Sequence, residues 1–118
     1  MGCLLEIERV NSMKIAFDWQ GTLDVHQELR EMAITLKNAG WEVIIISAIP
    51  ADLHNVRENE IKASGIDLPY RIVVASDHYE QGKAKAEIMK EMGISLLIDD
   101  TENVVKAVRD SGLKVLQI

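Results

Sequence analysis

The segment KIAFDWQGTLD (Lys14–Asp24) ends an apolar run in a carboxylate, Asp18, and follows it at once with Gln20, Gly21 and Thr22. Three other segments carry groups of matching chemistry. VIIIS ends in the hydroxyl of Ser47, GKAKAEIMKEMG opens with Lys83, and LLIDD ends in the acidic pair Asp99 and Asp100. A carboxylate can take a phosphoryl group covalently. Carboxylates with substrate phosphate are the usual oxygen ligands of Mg²⁺. A lysine and a hydroxyl can hold the remaining phosphoryl oxygens, because catalysis of phosphoryl transfer is mostly positioning and charge stabilisation. Lys85, two residues beyond Lys83, competes with it; Lys83 is preferred by position.

The elements around these residues alternate between short apolar runs and helix-length amphipathic runs. Met13–Trp19 reads as a first strand, Trp41–Ser47 as a second, Tyr70–Ser76 as a third, Ser95–Asp99 as a fourth and Leu113–Ile118 as a fifth. Between them lie four helices. The first places Leu29, Met32, Ala33 and Leu36 on one face and stops at Gly40. The second opens at Pro50 and stops at Gly65. The third spans Gly82–Gly93 and buries Ala84, Ile88, Met89 and Met92. The fourth spans Thr101–Gly112, with Asp100 or Thr101 as N-cap. Continuously apolar strands separated by helices predict an α/β doubly wound, three-layer domain around a five-stranded parallel sheet. In such sheets ligands bind beyond the carboxyl ends of the strands, where the strand order reverses. Asp18, Ser47, Asp99 and Asp100 all fall on that rim.

The chain has 118 residues, 47% of them hydrophobic and 27% charged, which suits one globular domain. Residues 13–118 read as that domain, and residues 1–12 as an N-terminal tail or a short edge strand. The apolar runs are too short for a membrane span, and the opening MGCLLEIERVNS lacks the basic head and long apolar stretch of a leader. The single cysteine, Cys3, excludes an internal disulfide and fits a reducing, cytoplasmic setting. A net charge of −6 and an aromatic content of 4% argue against a nucleic-acid platform. His26, His54 and His78 lack metal-ligand spacing, although His78, in the loop before Lys83, is near enough to touch a ligand. Trp19 and Trp41 suit core or rim packing.

Taken together and in order, DWQGTL (Asp18–Leu23), VIIIS, Lys83 and LLIDD resemble the four motifs of the haloacid dehalogenase superfamily of phosphotransferases. The resemblance covers roughly Met13 to Ile118 and implies the strand order five-four-one-two-three. It implies roles by position. Asp18 is nucleophile and metal ligand, and the Gln20 backbone carbonyl, Asp99 and Asp100 complete a Mg²⁺ site. Ser47 and Lys83 hold phosphoryl oxygens. Trp19, Gly21 and Thr22 line the substrate side, with Gly21 permitting the turn. The connections leave no room for a cap domain. Capless relatives act on large substrates or cover their sites by self-association, so the implied partner is a phosphorylated small molecule or macromolecule, or a second copy of the chain.

Gln20 departs from that pattern. The family's phosphatases carry there a second Asp, which serves as general acid and base. An amide does not titrate, and the loss of such a group costs about 10²–10⁴-fold in rate. Asp24 is the nearest substitute acid, but the pattern does not place it over the substrate. Two functions follow. One is a Mg²⁺-dependent phosphohydrolase or phosphotransferase, slowed by Gln20. The other is a binding module that holds Mg²⁺ and a phosphorylated ligand without turnover.

Overall fold

Strands built almost wholly from Ile, Val, Leu, Phe and Ala have no face to show to water, so helices must cover both sides. The computed structural model describes residues 13–118 and has this arrangement. In chain order its elements are β1 (Lys14–Phe17), an irregular turn (Trp19–Leu23), α1 (Gln27–Asn38), β2 (Glu42–Ile49), a 3₁₀ turn (Ala51–Leu53), α2 (His54–Ser64), β3 (Tyr70–Val74), α3 (His78–Met92), β4 (Leu96–Asp99), α4 (Glu102–Asp110) and β5 (Val115–Gln117). All strand pairs are parallel, in the order β3-β2-β1-β4-β5. This is the predicted doubly wound, Rossmann-like sheet. The expectations for residues 1–12, including Cys3, lie outside the described residues.

Two cores flank the sheet. On one face Ala16, Ile44, Ile46 and Leu97 pack against Ile88 and Met89 of α3 and Val104, Val105 and Val108 of α4. On the other, Ile15, Phe17, Val43, Ile45 and Ile98 pack with Ala33 of α1 and Ile61 of α2. Each fully buried Ile, Val or Leu contributes about 1.5–3 kcal/mol relative to an exposed one. Alternation along β1 therefore fixes which way Asp18 faces. Phe17 turns toward α1 and α2, and Asp18 follows Ala16 toward α3 and α4. Phe17 is in register with Ile45 and Ile98, and the Asp18 N–H donates to the Ile98 carbonyl at 2.9 Å. Asp18 and Asp99 thus leave adjacent strands side by side.

Three details depart from the sequence reading. Helix α3 begins at His78, several residues before Gly82, because the Asp77 carboxylate accepts the Glu80 N–H at 2.9 Å and caps it. Met32 is more than one-third exposed, and Ile34 takes its place against the core. Ala84 belongs to neither core, and Gly82, Lys85, Ala86 and Met89 form the buried stripe of α3. Gly82 is needed where it is. A Cβ there would lie 2.6 Å from both the Ala107 Cβ and the Val104 carbonyl, so α4 can approach α3 only against glycine.

Candidate functional site: an acidic cleft at the switch point

The crevice opens where the chain, having gone from β1 outward to β2 and β3, crosses back to β4. The cleft there has a volume of about 180 Å³ and is lined by Asp18, Gln20, Ala48, His78, Gln81, Lys85, Asp99, Asp100, Thr101 and Val104. A larger hollow of about 320 Å³ lies at the opposite, amino end of the strands, walled mainly by Trp41, Val43, Ile44, Pro69, Met92 and Ile94. That hollow is mainly apolar, and the charged side chains at its edge, Lys14, Lys37 and Glu42, are engaged in ion pairs, so the smaller, polar cleft is the candidate site.

The turn after β1 shapes one wall. Gly21 has φ +75° and Gln20 is extended, which lets the chain reverse within five residues. A Cβ on Gly21 would fall on the Asp100 carboxylate, so both the conformation and the close approach require glycine. The Asp24 carboxylate accepts the Gly21 N–H at 2.7 Å. Asp24 is thereby a fastener of the turn, not the substitute acid.

Lys85 holds the centre. Its Nζ donates to Asp18 Oδ1 at 2.7 Å and to Asp99 Oδ2 at 2.8 Å, and its side chain is 2% exposed. The other oxygen of Asp18 lies 3.4 Å from the Thr22 hydroxyl, which stands equally far from Asp100 Oδ1. Asp99 Oδ1 accepts the Thr101 N–H at 3.0 Å at the start of α4. Thr101 occupies the N-cap position without a capping bond of its own side chain. Asp18, Asp99 and Asp100 each offer an oxygen within 4.8 Å of the others.

The electrostatics follow from burial and count. Burial is the largest influence on Asp18 and Asp99 and pushes both carboxyls above their ordinary 3.8, against the pull of Lys85. Burial also works against the Lys85 ammonium, but Asp18 and Asp99 outweigh it and hold the lysine charged. One ammonium, paired with two of three neighbouring carboxylates, leaves surplus negative charge in a confined space. That donor set, all oxygen and net anionic, fits a hard divalent cation.

Several expected residues stand elsewhere. Lys83 points away from the cleft: its side chain is 55% exposed and lies 3.9 Å from Glu80. Lys85 takes the central place because it, and not Lys83, falls on the buried stripe of α3. Trp19 is 2% exposed and packed in the core beside α1, with the Arg30 guanidinium 5.4 Å from its ring; its side chain does not reach a ligand. Ser47 is fully buried and does not line the cleft. Strand β2 runs on to Ile49, and alternation turns Ser47 toward α2 and Ala48 toward the cleft. The Ser47 hydroxyl instead accepts a hydrogen bond from Arg57 Nη1. Arg57 was not singled out in the sequence. It is 4% exposed, and its Nη2 donates to Gln20 Oε1 at 2.8 Å.

The fold and site thus define a doubly wound α/β domain with an acidic, lysine-bridged cleft at its switch point. No protein-family model matches the chain, and no curated protein does. Among solved structures, the chain is similar to one in the Pnkp1/Rnl/Hen1 RNA repair complex (TM-score 0.68, 19% identity, 91% of this chain and 42% of that one). A second structure of the Pnkp1/Rnl/Hen1 complex gives TM-score 0.67 at 19% identity, over 91% of this chain and 46% of that one. A universal stress protein in complex with cAMP gives TM-score 0.56 at 20% identity, over 91% and 96%. The chain spans less than half the length of the RNA-repair chains it matches. These likenesses show the fold. They overturn the assignment to the haloacid dehalogenase superfamily: no family model supports it, and the similar structures include an RNA repair complex and a universal stress protein. The roles of the cleft residues rest on this chain's own geometry.

Proposed function

We propose that the cleft binds a phosphorylated ligand together with a divalent cation, and that Asp18 is the group that meets the phosphorus. The observation that carries this reading is the Asp18 carboxylate. One oxygen is tied to Lys85, while the other has only a long contact, 3.4 Å, from the buried Thr22 hydroxyl, beside the cleft that Asp18 lines with Asp99 and Asp100. A carboxylate with one oxygen neutralised by a lysine and the other only loosely held is suited to nucleophilic attack. Lys85 limits its charge, and Asp99 and Asp100 would hold the cation together with Asp18. A divalent cation such as Mg²⁺, when bound, supplies the positive charge that lets phosphoryl oxygens approach three carboxylates.

In the transfer itself the Asp18 oxygen not held by Lys85 would form a bond to phosphorus as the bond to the leaving oxygen breaks, and the leaving oxygen would keep that electron pair. Gln20 has no proton to give it. Turnover is accordingly fastest for a leaving group that is stable as an anion, such as an aryl oxide or a second phosphate. The ligand class, a phosphorylated small molecule or the phosphorylated end of a macromolecule, is in keeping with two structural neighbours, one in an RNA repair complex and one a universal stress protein in complex with cAMP. A net charge of −6 disfavours a long polyanion as the bound surface.

Gln20, an amide beside Asp18 where an acid would assist turnover, favours a second reading, in which ligand and cation are held without transfer. Hydrolysis of an aryl phosphate with Mg²⁺, run beside Asp18→Asn, decides between them. Turnover lost in Asp18→Asn supports the enzyme. Absent turnover with Mg²⁺-dependent binding of inorganic phosphate supports the binding module, and absence of both removes the proposal.

A further inference from the structure

We infer that Arg57 is a positioning residue that fixes the Gln20 amide as a hydrogen-bond donor to the ligand. The inference rests on the phosphate-site reading above and adds which ligand atoms position 20 selects. A guanidinium carries only donors. The Gln20 atom facing Arg57 Nη2 at 2.8 Å is therefore its oxygen, and the nitrogen is the end left for the cleft that Gln20 lines. The amide orientation is set by chemistry, since an NH₂ group facing Arg57 would oppose donor to donor.

Arg57 is itself held from behind. Nη1 donates to the buried Ser47 hydroxyl, and Nε lies 3.5 Å from the half-exposed Glu60 carboxylate without forming a hydrogen bond to it. A chain of contacts thus runs from β2 through α2 to the cleft: Ser47 orients Arg57, and Arg57 orients Gln20. Burial removes water as a competing partner for the guanidinium. Gln20 itself is exposed, so without Arg57 its amide would rotate freely. Locked as it is, the Gln20 side chain turns N–H to the cleft, its oxygen being taken by Arg57. It therefore favours an oxygen that carries lone pairs and no proton, as on a phosphoryl group. The charge balance gives the arrangement a use. Asp18, Asp99 and Asp100 repel an anion, whereas a neutral donor backed by a buried cation attracts it at the opposite lip.

The test uses ¹⁵N-labelled protein, with the Gln20 side-chain amide assigned by its loss in Gln20→Ala, and inorganic phosphate as the probe with and without Mg²⁺. In wild type, phosphate with Mg²⁺ should move the Gln20 NH₂ resonances. Arg57→Lys keeps the charge and loses the fork, so it should move those resonances toward the values of a freely rotating glutamine even without ligand. It should also lower phosphate affinity about tenfold, the scale of one charge-linked hydrogen bond. Gln20→Ala, at an exposed position that tolerates change, should lose the same factor. The double variant should lose no more than either, because both act through one contact. An unmoved Gln20 amide in Arg57→Lys, or losses that multiply in the double variant, would overturn the inference. If Arg57→Lys fails to fold, Ser47→Ala releases the guanidinium from behind and is read by the same resonances. A wild type that binds no phosphate refutes the phosphate reading and the donor role with it, while the ligand-free amide shift still decides whether Arg57 holds Gln20.

Discussion

Lys85 Nζ sits 2.7 Å from Asp18 Oδ1, and the two side chains are 2% and 8% exposed. A charged pair so far from water is expensive to assemble and more expensive to break, since the surviving partner is left buried without compensation. Here the cost is tied to the site, because the same ammonium also meets Asp99. Four consequences can be measured.

Lys85→Met leaves Asp18 and Asp99 facing each other in a confined space. It should destabilise the chain by about 3–5 kcal/mol. Lys83→Met removes only an exposed side chain near Glu80 and should stay within about 0.5 kcal/mol of wild type. Urea unfolding followed by far-UV circular dichroism compares the two directly.

Cation binding should weaken as pH falls. Burial raises the Asp18 and Asp99 carboxyls above 3.8, so protons compete with the cation at a higher pH than ordinary carboxylates would allow. The linkage sign for the metal-free chain follows. A group whose folded value is raised stabilises the fold below its unfolded value, and that stability is lost as pH rises through the folded value. Without metal, these two groups therefore make the chain more stable as pH falls from neutral through the raised range toward 3.8. Calorimetric titration of Mg²⁺ and metal-free thermal melts across that range test both halves.

Asp18→Asn keeps an oxygen for Lys85 and removes one negative charge from the cluster. The thermal midpoint without metal should hold or rise, as it commonly does when a strained functional group is neutralised. The added stability that Mg²⁺ gives wild type should shrink. A variant destabilised without metal would show that Asp18 is kept for the fold.

Gly21→Ala forces a side chain into a positive φ and onto the Asp100 carboxylate. Displacing Asp100 should reduce Mg²⁺ affinity by about tenfold or more, one ligand's worth. Gly82→Ala drives α3 and α4 apart and should cost about 1–3 kcal/mol by overpacking. Titration separates them: Gly21→Ala should lower both cation affinity and, through its positive φ, stability, whereas Gly82→Ala should lower stability and leave Mg²⁺ affinity nearly unchanged.

The fold class was legible because β1, β2 and β4 are largely apolar and helix-length amphipathic runs separate them; the rim position of Asp18 and Asp99 follows from that, whereas the sheet order came only with the resemblance. The lysine was misplaced for a local reason. Lys85 lies three residues before Ile88 and four before Met89, both inward, so it shares their face and Lys83 does not. Gly82, Lys85, Ala86 and Met89 then share one stripe, so a lysine among apolar positions was the available signal. Ser47 was misread because VIIIS ends two residues before β2 does, and strand alternation turned its hydroxyl away. Arg57 gave no sign at all. A basic residue in a charged helix reads as solvated, and only the packing of α2 against β2 brings it under Gln20. The resemblance to a known superfamily rested on four short segments; no family model supports it, and the cleft has to be judged on its own contacts.

The most direct test is a titration of ¹⁵N-labelled chain with Mn²⁺, repeated with Mg²⁺ and inorganic phosphate. If the cleft binds cation and phosphate, the amides of Gly21, Thr22 and Thr101 should broaden first under Mn²⁺, and Mg²⁺ should reverse this. Phosphate should then shift the same amides only when Mg²⁺ is present, while Val43 and Ile94 at the other end of the sheet stay still. Broadening that begins elsewhere, or that spreads evenly over the acidic surface, would contradict the account.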